Sequence, residues 1–395
     1  MTGPATGPAT SPASGPAAGP TSPVTGPVVA DGIGDRGQAR PRRGRRLLRP
    51  VLSALASVAL VVGVFWYFLP QFTSISAVWS SIRAMTWREL TTLGLAAVWN
   101  LGTYLLVNVA ATPGLTYRQA AVATEASTAV SNTVPGGGAI GIALNYAMFS
   151  SWGFSRSRTS VSVLVSGVWN NFAKLGMPVL ALAILALQGG PSAGRLIAGL
   201  IGLVALIAAV AVFALLLRSR ESAVRVGLAA GRVATALRRV LGRGPVHGWE
   251  DATAKFRDRT VLLLRARWHW ITATTLVSHV SLFLVLLLAL RHVGVSQQEL
   301  SWVEVLAVFA FARLLTAIPI TPGGLGVVEL ALITGLSAAG GDRAGVAAAV
   351  LVFRALTYVL PIPLGLASYV FWRRNRSWRR PAGTAPHSPL VPRSG

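Results

Sequence analysis

Apolar residues in this chain come in blocks of roughly 20, the length a helix needs to cross about 30 Å of hydrocarbon at roughly 1.5 Å per residue. Such long apolar blocks are the signature of a membrane protein. Full spans are predicted at 48–69, 89–111, 160–187, 195–217, 268–290 and 345–371. Two further apolar blocks, 116–150 and 302–338, are broken in the middle by Pro-Gly-Gly. The predicted fold class is an all-α polytopic membrane protein. It has about six full transmembrane helices plus two PGG-broken helical hairpins or re-entrant segments.

Composition narrows the function classes. The chain is 53% hydrophobic with mean hydropathy +0.58, which excludes an ordinary soluble domain. Its net charge is +24, and 34 of its 36 basic residues are Arg. These cluster at the ends of apolar blocks, so membrane topology explains them and nucleic-acid binding does not. There are no cysteines, so disulfides, thiol catalysis and Cys-zinc sites are excluded. His247, His269, His279, His292 and His387 have no metal-ligand spacing, so neither a metal nor a cofactor is expected.

The ends and loops give domains and sidedness. Residues 1–46 are Pro/Gly/Ala-rich low complexity followed by an Arg-rich run, and are expected to be a disordered cytoplasmic tail. Residues 47–371 are the membrane domain, and 372–395 a basic C-terminal tail. Segment 218–267 holds twelve Lys/Arg and is expected to be a cytoplasmic loop carrying a surface helix; SRSRT at 155–159 is also basic. The loops at 188–194 and 292–301 hold no Lys or Arg beyond the span ends and should face outside. With both termini cytoplasmic, each broken block must return to the side it came from. The expected location is the cell membrane, multi-pass. Trp66, Trp87, Trp268, Trp270, Trp302 and Trp372 sit near span ends as interface anchors.

The chain repeats itself. A span, a broken block and a span run over 89–111, 116–150 and 160–187, and again over 268–290, 302–338 and 345–371. One span separates the halves, so they are inverted in the membrane, the pattern in which paired broken helices mark a transporter's binding site. Pro135, Gly136 and Gly137 match Pro322, Gly323 and Gly324. Backbone groups freed by proline cannot face lipid and must meet protein, water or a polar ligand. A helix starting after PGG offers N–H groups and a positive dipole end to an anion such as a lipid phosphate. Gly326 and Gly141 keep the backbone accessible beyond each turn.

Charge inside a span is expensive and points to function. Counting in from the span ends puts Glu125, Arg313 and Arg354 about 14–17 Å deep. Glu329 and Lys174 lie further along their elements. Glu125 is ten residues before Pro135 and Arg313 nine before Pro322, so the two hairpins carry opposite charges at near-equivalent positions. The Arg pair suits phosphate oxygens. The Glu pair could neutralise the arginines or bind a cationic group or a proton, and internal ion pairing is the plainer alternative. Asn132, three residues before Pro135, is the best polar candidate in the first half.

ARLLTAIPITPGGLGVVE (312–329) and FRALTYVLPIPLG (353–365) resemble the signature of the flippase-like membrane domain of lysylphosphatidylglycerol synthetases. SNTVPGGGAIGIALNY (131–146) is similar to that family's first-half motif in stand-alone actinobacterial-type members. The resemblance implies a domain that moves a modified lipid between leaflets. By motif position it carries over to Arg313, Pro322, Gly323, Gly324, Gly326, Glu329 and Arg354. The full synthetases add a soluble aminoacyl-transferase domain; only about 24 residues follow the last predicted span here, so this sequence is not expected to charge lipid with lysine. The expected function is translocation of a phospholipid or lipid-linked precursor without ATP hydrolysis, since no Walker motif is present. Membrane lipids with anionic or phosphate-bearing head groups are the expected partners. The alternatives are a membrane-embedded lipid-phosphate enzyme, which lacks a recognisable nucleophile motif, and a non-transporting partner of a separately encoded lipid-modifying enzyme.

Overall fold

A computed structural model describes residues 83–188 except Pro135, then 193–222, 249–317, 321–381 and 383–384, with Ser80 and isolated positions between 224 and 235. The N-terminal tail, the predicted span 48–69, Pro135, most of the predicted surface helix and the last residues of the C-tail lie outside the described residues. All described residues fall in one unit, 47–395.

Among the described residues there are ten α-helices: α1 Trp87–Ala111, α2 Tyr117–Thr133, α3 Gly137–Ser151, α4 Arg156–Gln188, α5 Ala193–Arg218, α6 Trp249–His292, α7 Trp302–Leu315, α8 Val327–Ala338, α9 Arg343–Arg354 and α10 Pro361–Arg374. Three of them start on capping boxes written in the sequence: Thr86 with Glu89, Thr116 with Gln119, and Ser301 with Glu304. In each, the hydroxyl accepts from the backbone N–H three residues on, and the longer side chain accepts from the cap's own N–H, so two orphan donors are satisfied together. The last two boxes open the first limb of each hairpin.

Five helices, Trp87–Ala111, Arg156–Gln188, Ile197–Arg218, Thr253–His292 and Arg343–Arg374, are long and apolar enough to span a bilayer. They correspond to the five predicted spans that fall among the described residues. The hairpin limbs are shorter: α2 has 17 residues, α3 15, α7 14 and α8 12. None of the four reaches roughly 20 residues, the usual length of a full span. Their tips need glycine. Gly136, Gly323, Gly324 and Gly326 all have positive φ, and a Cβ on Gly323 would sit 2.5 Å from the Tyr358 ring and 2.7 Å from Asn132 Oδ1.

The two halves pack by exchange. In α1 and α6, the first helices of the repeats, Thr92 meets His292 and Asn100 meets Ser281, so they run antiparallel. That is what inversion requires of equivalent helices. The third element of each half then reaches the other hairpin: α4 packs on α7, and α10 packs on α2, while α9 stays against α8 of its own hairpin. Asn132 bonds to Tyr358 at the C-terminal end of α2, and Gly365 lies against Glu125 nearer its middle, so α10 and α2 are antiparallel as well. Helix α5 packs chiefly on α4 and leaves its apolar surface exposed, as a lipid-facing connector between the halves does.

Three features differ from the sequence reading. Helix α6 begins at Trp249, inside the segment 218–267 read as a loop, because its charged first turns continue the helix beyond the apolar stretch that begins near Trp268. At 44 residues it outruns a bilayer by about half its length. The last span is interrupted by a π-turn at Ala355–Val359, where Leu360 N–H donates to Ala355 O; Pro361, with no N–H, cannot donate to Thr357. The C-tail also folds back. Trp378 stacks edge-on against Trp152, the Trp372 indole N–H donates to Ser151 Oγ, and Arg380 N–H donates to Ser151 O. These tryptophans close a core with Phe149 and Phe154, so Trp372 serves packing as well as anchoring.

Candidate functional site

Where the two hairpin tips meet there is a cavity of about 570 Å³. Each repeat supplies walls. From the first come Asn100 and Tyr104 on α1, Glu125, Thr128 and Asn132 on α2, Gly136, Gly137 and Gly138 at the tip, and Asn170 and Lys174 on α4. From the second come Arg313 on α7, Pro322, Gly323 and Gly324 at the tip, Arg354 on α9, and Thr357 and Tyr358 on the π-turn. Glu125 and Arg313, equivalent in the repeat, thus face one chamber. Of the residues singled out in the sequence for the site, Gly141, Gly326 and Glu329 do not line it, and Pro135 lies outside the described residues.

The charges divide into two groups. Glu329 and Arg354 are engaged with each other: Arg354 Nε donates to Glu329 Oε1 at 2.6 Å, and both side chains are 10% exposed. The second carboxylate oxygen accepts from Gly326 N–H at 2.8 Å, closing the N-terminus of α8 with the chain's own charge. Arg354 also lies 4.2 Å over the Tyr358 ring and reaches Gly323 O at 3.4 Å. This ion pair holds the second tip to α9.

Tyr358 and Asn132 hold the two halves together. Tyr358 donates from its hydroxyl to Asn132 O at 2.5 Å and toward Pro322 O at 3.4 Å, and Asn132 Nδ2 donates to Tyr358 O at 3.2 Å. Asn132, read as a binding candidate, is thus committed to a structural bond while still lining the cavity. Tyr358→Phe keeps the ring under Arg354 and removes these hydroxyl bonds. It is expected to lower stability by about 1 kcal/mol, read as a lower thermal midpoint of the purified protein.

Lys174 and Arg313 form the second group. Lys174 is 7% exposed and Arg313 Nε is buried with no hydrogen bond. Neither side chain has an acidic partner among the described residues. Arg313 acts on Lys174, and both act on His279, whose Nδ1 contacts Thr275 O while Nε2 has no partner. Glu125 lines the same chamber, forms no ion pair among the described residues, and has Oε2 buried and unpartnered. Helix α3 starts at the cavity with no side-chain cap. Gly137 and Ala139 N–H donate to Val134 O and Gly136 O, so it is the cations, beside the positive dipole end of α3, that suit an anion. Among the described residues no cluster of His, Asp and Glu could hold a metal ion.

Sequence reasoning missed the partners that lie across the bundle. Lys174 is a lone lysine in a span, and that alone could have promoted it. Tyr358 sits four residues after Arg354 on one helical face, a spacing that brings ring and guanidinium together.

The family model of the lysylphosphatidylglycerol synthase TM region matches residues 54–365. The chain belongs to this family. The match covers both hairpins and every described residue of the cavity. This member of the lysylphosphatidylglycerol synthase TM region is a multi-pass membrane protein with a role in membrane lipid biology. The search of curated proteins gives no match.

Proposed function

We propose that this protein moves a phospholipid or lipid-linked precursor between leaflets, holding a phosphate-bearing head group in the cavity between its hairpins. The observation that carries this reading is a pair of cations without counter-charges, Lys174 and Arg313, in a chamber shared by two inverted repeats. A path for the lipid tail supports it. Tyr104 and Ile142 line the chamber and are 42% and 45% exposed on α1 and α3, so its rim reaches the apolar outer surface. The head group would then cross inside the protein while the tail stays in hydrocarbon. Movement is driven by a gradient or a coupled ion and not by ATP. The protein sits in the cell membrane with both termini cytoplasmic.

A dithionite-quench assay in proteoliposomes with short-tailed fluorescent lipids tests this. Wild type is expected to accelerate exchange of a phosphate-bearing lipid, and Arg313→Gln, at normal expression, to lower that rate about tenfold or more. Arg313→Lys keeps the charge and loses the fork, so it should fall between. Undiminished exchange in Arg313→Gln would remove Arg313 from the site.

A further inference from the structure

We infer that the cavity is built for a doubly charged terminal phosphate, a phosphomonoester or diphosphate, in preference to the singly charged phosphodiester of an ordinary phospholipid. This rests on the reading of the chamber as a head-group site.

The charge balance of the wall carries it. Lys174, Arg313 and Arg354 line the chamber. Glu329 compensates Arg354 at 2.6 Å and nothing else. Arg313 lies within the field of Arg354, and Lys174 within that of Arg313, so the cations form one cluster. The remaining carboxylate, Glu125, lines the same chamber but forms no ion pair with them among the described residues, and its Oε2 has no partner. Two positive charges are left over. Like charges close together in a medium of low dielectric repel strongly. One ligand that brings two negative charges relieves both at once, whereas a phosphodiester leaves one uncompensated.

The donor set points the same way. A guanidinium presents a planar fork and an ammonium a compact charge, and together they can occupy the oxygens of a terminal phosphate. A phosphodiester has only two free oxygens. Tyr104 lines the same chamber as Arg313, and the start of α3, which has no side-chain cap, lines it too.

The purified full chain in detergent is titrated near neutral pH with dioctanoyl phosphatidic acid and with dioctanoyl phosphatidylglycerol by calorimetry. The monoester is expected to bind about tenfold more tightly than the diester. Lys174→Gln should erase that difference, and wild type alone decides the matter if the variant does not fold. Equal affinities, or tighter binding of the diester, would overturn the inference. Glycerol phosphate and inorganic phosphate separate the sources: binding weaker than phosphatidic acid supports a lipid ligand, and binding as tight keeps the dianion and overturns the lipid. Selective binding without lipid exchange would defeat only the transporter reading, and exchange without dianion preference would defeat only this one.

Discussion

Glu329→Ala is expected to destabilise the protein by about 3–5 kcal/mol, because it strands the Arg354 guanidinium in a buried site. The carboxylate does two things there. It meets Arg354 at 2.6 Å and accepts from Gly326 N–H at 2.8 Å, so its loss leaves a buried cation and an uncapped helix. Glu329→Gln keeps one acceptor oxygen, replaces the other with an amide N–H donor and removes the charge, so it should fall between. The double variant Glu329→Leu with Arg354→Met should recover most of the loss, since a buried ion pair exchanged for apolar groups is often nearly neutral. Thermal unfolding of the four proteins in one detergent measures this. A Glu329→Ala protein as stable as wild type would show that the pair does not hold the tip. A Glu329 variant that stays stable and loses lipid exchange would return this residue to the ligand site.

Gly365→Leu is expected to prevent assembly of the membrane domain. Helix α10 crosses α2 so closely that a Cβ at Gly365 would overlap the Glu125 carbonyl oxygen and the Ala129 methyl. The α2 face is itself small, with Ala126 and Ala129 buried at the crossing. Membrane helices associate through such close backbone packing, because lipid offers no hydrophobic drive to bring them together. Even Gly365→Ala should cost about 1–3 kcal/mol, and leucine has to push the helices apart. This crossing also positions Glu125 in the cavity, so the damage reaches the site. Gly167→Leu on α4 is the matched control, since nothing lies within 4 Å of its Cβ position. Size-exclusion chromatography after purification reads the outcome. A monodisperse Gly365→Leu peak at wild-type yield would contradict this account of the contact.

The asymmetry between the hairpins bears on mechanism. Both break at PGG, yet α8 is capped by the chain's own Glu329 while α3 has no side-chain cap and begins at the chamber wall. The second hairpin is thus capped by a side chain and braced on Arg354 and Tyr358, and the first closes its tip with backbone bonds alone, leaving no carboxylate against the positive end of α3.

Much of the fold is legible along the chain because its signals are local. Length and hydropathy locate the five described spans. Ser and Thr three residues before Glu or Gln start the helices, and Pro-Gly-Gly breaks the two blocks. Inversion follows from counting crossings, a one-dimensional operation. Even the depth of Arg313 and Glu125 follows from counting residues. Depth along a helix, however, says nothing of which neighbour a side chain faces. Arg313 and Arg354 read alike in the sequence, and only the packing of α9 against α8 gives Arg354 a carboxylate while the packing of α4 against α7 gives Arg313 another cation. The chain by itself determined a polytopic helical protein with two inverted, broken hairpins, because hydrocarbon forces backbone bonds to close within each segment. Only the tertiary structure decided which charges cancel and which remain for a ligand, because ion pairing acts over a few ångströms between helices far apart in sequence.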